Sequence, residues 1–131
     1  MFYAQTAPQI LGILKAFDCQ SSGDVAIKIN NGGRRWSLSN FSTNYTAVMC
    51  SNRTGTITGW TSSNKIYTGA SASGTALATL PTSVQNNAWR LDNGSSISTT
   101  TVWTQDTIYL NMAAPSSTVS TCDIIIVGYL Y

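Results

Sequence analysis

The last ten residues, Cys122-Asp-Ile-Ile-Ile-Val-Gly-Tyr-Leu-Tyr131, are the most apolar run in a chain otherwise crowded with Ser, Thr, Asn and Gly. Read as a β-strand, the run puts Ile124, Ile126, Gly128 and Leu130 on one face and Ile125, Val127, Tyr129 and Tyr131 on the other. A strand with one wet face alternates apolar with polar residues, so a strand that is apolar on both sides has to be covered twice. The protein's own core supplies one cover. For the other, the sequence leaves two readings: loops of the same chain, or a neighbouring subunit seated on Ile125, Val127, Tyr129 and Tyr131. The second is the economical one, since burying a large apolar side chain is worth about 1.5 to 3 kcal/mol. Tyrosines also suit interfaces, because the ring buries area while the hydroxyl still reaches a partner.

The rest of the chain repeats the β theme in shorter pieces. "DVAIKIN" alternates Val25, Ile27 and Ile29 with Ala26, Lys28 and Asn30, which is a half-buried strand of period two. "NNGG" follows with the positive φ angles of a tight hairpin turn, and "RRWSL" reads as the return strand. "NYTAVMC", "GTITGW", "KIYTG", "TALATL", "AWRLD", "TTTVWT" and "DTIYLNM" continue the series, separated by turn formers such as "SNRTG", "DNGSS" and "AAPSS". Eight to ten short strands in 131 residues predict an all-β, single-domain antiparallel β-sandwich of the jelly-roll type over residues 1–131, with 1–9 as an N-terminal tether. Residues 10–17 stay open between helix and strand: Ile10, Leu11, Ile13, Leu14 and Phe17 have helical spacing, but Gly12 and the short length oppose it.

Composition narrows the function more than any motif does. Charged residues are only 9% of the chain, against roughly 25% in ordinary soluble domains, and the net charge is +2. A general nucleic-acid binder would be far more basic. A nearly neutral surface rich in Ser and Thr does little to keep copies apart, which suits a protein meant to sit beside other subunits. No stretch is long and apolar enough for a membrane-spanning helix, and the start lacks the basic front of a secretory signal, so the expectation is synthesis in the cytosol. Cys19, Cys50 and Cys122 form no metal-binding spacing and are expected to be unpaired thiols at or near strand ends.

The chain has no His and no Glu, the groups most often used for proton transfer near neutral pH. Asp18, Asp24, Asp92 and Asp106 stand beside turns, where aspartates hydrogen-bond local backbone, and none has calcium-loop spacing. Serine lacks a His partner and a GxSxG elbow. These features predict a protein that is not an enzyme and holds no cofactor or metal. Two clusters remain as candidate ligand sites. Arg34, Arg35 and Trp36 put two guanidinium groups and an indole together, a grip for phosphate and a stacked base, although alternation turns Arg34 and Arg35 to opposite faces. Trp60 and Trp89, with Trp103, Tyr45 and Tyr67, offer the aromatic platforms of a carbohydrate site. A core role for the tryptophans is the simpler reading of both.

The segments "DTIYLNM", "AAPSSTVST" and "CDIIIVGYLY" together resemble the last two strands of the compact jelly-roll domains of bacteriophage virion proteins, such as head fibres, spikes, decoration proteins and tail tips. Gly128-Tyr129-Leu130 is also similar to the closing strand of trimeric tumour-necrosis-factor-like and C1q-like domains. The likeness covers about the last 25 residues. It implies a non-enzymatic structural component of a virus or phage particle, made in the host cytoplasm and located in the virion. Its partners would be copies of itself, in a homotrimer or higher symmetric assembly, and other virion proteins. The alternatives are a lectin-like receptor-binding module that takes a host surface glycan, and an RNA-packaging coat protein using Arg34 and Arg35.

Overall fold

A computed structural model of the chain describes residues 9–18, 22–38, 48–52, 57–58, 65–79, 83–84, 101–112 and 121–131, and these are all strand, turn or extended chain. Among these residues ten strands follow in order: β1 (Gln9–Asp18), β2 (Gly23–Lys28), β3 (Trp36–Leu38), β4 (Val48–Asn52), β5 (Ile57–Thr58), β6 (Lys65–Gly69), β7 (Ser73–Thr79), β8 (Ser83–Val84), β9 (Thr107–Met112) and β10 (Thr121–Leu130). One antiparallel sheet is built around β10, with β1 on one flank and both β3 and β4 on the other. The second runs β2-β9-β6-β7, and β5 pairs with β8 in a small ribbon.

The two large sheets share one hydrophobic cluster, the arrangement of a β-sandwich. Leu11, Phe17, Trp36, Leu38, Cys122, Ile124, Ile126 and Leu130 enter it from the first sheet, and Ile27, Ile66, Leu77, Ile108, Leu110 and Met112 from the second. The period-two reading of β2 holds in detail. Ile27 and Ile29 are buried and Val25 packs against the core, while Ala26, Lys28 and Asn30 face water. β9 alternates in the same way around Ile108, Leu110 and Met112.

β10 is the centre of the first sheet. Its residues Cys122 to Ile126 pair with β4, and Gly128 to Leu130 pair with β3, so two separate segments of chain lie end to end along one flank. β1 lies along the other flank, from Gln9 opposite Gly128 to Asp18 opposite Thr121. A side chain at 128 has no room: a Cβ there would collide with the main-chain oxygen of Ser37 and stand 2.7 Å from Leu11 Cδ1. Glycine in mid-strand is thus the condition for β3 and β1 to close on β10.

Residues 9–18 are strand, and their helix-like spacing has a cause. The register of β1 against β10 slips between Ile10 and Gly12 and again between Leu14 and Phe17. Each slip inserts an extra residue, so the core-facing positions become Leu11, Leu14 and Phe17, three apart instead of two. The second bulge carries Ala16 at φ 55°, and its N–H donates to Asp123 Oδ1 at 2.8 Å.

Two expectations are corrected. "NNGG" does make a tight turn, with Gly32 and Gly33 at φ 56° and 77° and the Arg34 N–H bonded to the Asn31 carbonyl. However, the strands it joins lie in different sheets, so it is a corner of the sandwich and not a hairpin. The physical reason is that residues just beyond β2 find other partners: Ile29 N–H donates to Asp106 O, and Asn30 N–H to Leu11 O. Cys122, expected to be a free thiol, is fully buried and disulfide-bonded. Linear spacing cannot show this, because the bond depends on which strands flank β10.

If the contact at Gly128 governs the closure of the first sheet, Gly128→Ala will lose about 1 to 3 kcal/mol through overpacking. Urea unfolding should show a lower midpoint with an unchanged slope. An unchanged midpoint would mean that β3 shifts away at little cost.

Candidate subunit interface

The outward face of the first sheet is built from alternate residues of β10 and the residues opposite them. Ile10 of β1 faces Val127, Ile13 faces Ile125, and Ser37 of β3 faces Tyr129. Directly opposed residues share a face, so Ile10, Ile13, Ile125, Val127 and Tyr129 form one apolar surface. Ile10 is 56% exposed and Ile13 52%, whereas Val127 is only 7% exposed and Ile125, Tyr129 and Tyr131 are half-buried. The sequence therefore located the strand and its outer face, but the most open part of the patch lies on β1. Ile10 and Ile13 were missed because their spacing fitted a helix as well as a strand. Their separation by three is the mark of the first bulge, the register slip between Ile10 and Gly12.

One edge of the patch is polar and tied down. The Tyr131 and Ser37 hydroxyls lie 3.0 Å apart, Tyr131 N–H donates to the Arg35 carbonyl, and Arg34 Nε donates to the Tyr131 main-chain oxygen at 3.0 Å. Asp123, buried on this same face, is engaged by the Ala16 N–H. The patch thus has an apolar middle with hydrogen-bonded groups at its ends.

The other candidate residues are placed differently. Trp36 is fully buried, and its Nε1 donates to the Gln105 carbonyl at 2.7 Å. It offers no face for a base to stack on. Arg34 and Arg35 are exposed, with Arg34 engaged at Tyr131. Trp60, Trp89, Tyr45 and Asp92 lie outside the described residues. Trp103 forms an antiparallel bridge with Trp36 and is partly buried in the core, its indole N–H without a partner.

A polar cleft lies at the sandwich corner, lined by Lys28, Asn30, Asn31, Gly32, Gly33, Thr104 and Asp106, with a volume of about 590 Å³. Asn31 is buried and its amide donates to the carbonyls of Arg34 and Thr104. Lys28 Nζ and Asp106 Oδ2 form an exposed ion pair at 2.5 Å. That hydrogen bond, with another from the Thr107 hydroxyl, holds the Asp106 carboxyl below its ordinary range. Asp24 is held low by the side-chain amide of Asn111 and then by the Ser71 N–H. The latter bond, 2.6 Å long, clamps a turn in which Ser71 and Ala72 both have left-handed φ angles near 57° and 56°.

Compared with protein-family models, curated proteins and solved structures, the chain matches none.

The lowered carboxyls fix the sign of an acid effect. A carboxylate whose folded pKa is depressed adds stability above its unfolded pKa, about 3.9, and that stability is lost as pH falls through the folded value. Melting midpoints measured between pH 5 and pH 2 should therefore fall toward the acid end. The fall should be shallower in Asp24→Asn and shallower again with Asp106→Asn added. Parallel curves for wild type and both variants would contradict the assignment.

Proposed function

We propose that this protein is a non-enzymatic structural subunit of a virus or phage particle, acting by symmetric self-assembly through the outward face of β1 and β10. The observation that carries this reading is the pairing of half-exposed Ile10 and Ile13 with Val127 and Ile125 on one sheet face. Burying the remaining half of each β1 isoleucine is worth roughly 1 kcal/mol apiece. A stable interface centred on this patch would bury roughly 800 Å² per partner. The scarcity of charge supports the same reading, because copies meet with little repulsion.

The jelly-roll form belongs to this proposal. The first strand pairs with the last and the second with the ninth, and β6 and β7 follow on the far side of β9. A long antiparallel ribbon wrapped into two layers produces that nesting. The resemblance of Gly128-Tyr129-Leu130 to the closing strand of trimeric tumour-necrosis-factor-like and C1q-like domains leads us to propose a homotrimer or higher symmetric assembly, with other virion proteins as further partners.

Light scattering on the purified chain tests the reading. The wild type should be a closed oligomer. Ile13→Asp, which puts a charge into the patch at an exposed site, should be monomeric with an unchanged circular dichroism spectrum. A wild-type monomer at high concentration, or an oligomer untouched by Ile13→Asp, would refute the interface.

The carbohydrate-binding alternative, placed by the sequence on Trp60 and Trp89 outside the described residues, gains a second location in the corner cleft, where exposed Asn30 and Thr104 suit the hydroxyls of a neutral sugar. It predicts glycan-array binding that Asn30→Ala abolishes and Ile13→Asp leaves in place.

A further inference from the structure

We infer that this protein works in an oxidising setting, in which the Cys122 disulfide ties the central strand β10 to another part of the chain. Cys122 is fully buried on the core face of the central strand, opposite Phe17 of β1 and Asn52 of β4, and it is disulfide-bonded. The chain has three cysteines, so the bond takes Cys19 or Cys50 and leaves one thiol over. Either choice staples β10 to a flanking segment. Cys50 stands on β4 two register positions from Asn52, and Cys19 follows Phe17 by two residues in the chain.

Cys122 sits beside Ile124 and Ile126 at zero exposure, so the bond is shielded once formed. Disulfides persist in oxidising surroundings and are rare where glutathione keeps thiols reduced. In the closing step two thiols lose two protons and two electrons, forming the S–S bond. A small-molecule disulfide accepts them and departs as two thiols.

The inference does not depend on how copies assemble, and its test works on the unassembled chain. Protein purified under reductant should show three alkylatable thiols in denaturant. After treatment with oxidised glutathione it should show one, with the mass of a single chain on a non-reducing gel. The oxidised form should melt higher by about 10 °C, the order expected for a native disulfide in a domain of this size. Of Cys19→Ser and Cys50→Ser, one should keep the high melting point and have no free thiol, and the other should melt like the reduced protein. Three free thiols after oxidation, a disulfide-linked dimer, or equal melting points for the oxidised and reduced forms would overturn it.

Discussion

Everything in this fold leans on the double-sided pairing of β10. A strand whose two edges are both occupied and whose inner face is in the core has no easy way to leave, and the close approach of Ser37 to Gly128, which leaves no room for a Cβ, depends on it. The flanking elements are then placed by register. β1 brings Leu11 and Phe17 into the core, and β3 brings Trp36 and Leu38. The second sheet needs only to lay its alternating faces, Ile27 and Ile29 on one side and Ile108 and Leu110 on the other, onto that platform.

The two layers are joined at a corner by hydrogen bonds. Around Trp103 the chain bridges β3 of the first sheet, and four residues later it begins β9 of the second. Along that short passage Gln105 accepts from the Trp36 indole through its carbonyl and donates its side-chain amide to Thr68 and Thr107 carbonyls. Asn31 makes the matching connection from the other side, to Thr104. A polar side chain buried at such a crossing is stabilising only because its donors are satisfied.

Much of the fold was legible in sequence, for physical reasons that differ from element to element. β2 and β10 were readable because alternation and apolar density are local properties. The identity of residues 9–18 was not, since two bulges turned a period of two into a period of three. The corner at Gly32 and Gly33 was read correctly as a turn and wrongly as a hairpin. Turn chemistry fixes the φ angles, whereas the sheet each arm joins is decided by distant partners such as Asp106 and Leu11. The candidate interface was half legible for the same reason: β10 announced itself by composition, but Ile10 and Ile13 became its neighbours only through pairing across the whole length of the chain. Trp36 was legible despite its two arginine neighbours, because the core role that its bulk favoured is the one packing gives it.

The bulges of β1 have one more effect. Among the described residues β1 ends its sheet, and a straight, unbroken outer strand is a template on which another chain can add without limit. Two register slips and a left-handed Ala16 interrupt that row of N–H and C=O groups. Growth edge to edge, the route to fibres, is thereby discouraged on this side of the sheet, where the chain's scarcity of charge offers little protection of its own.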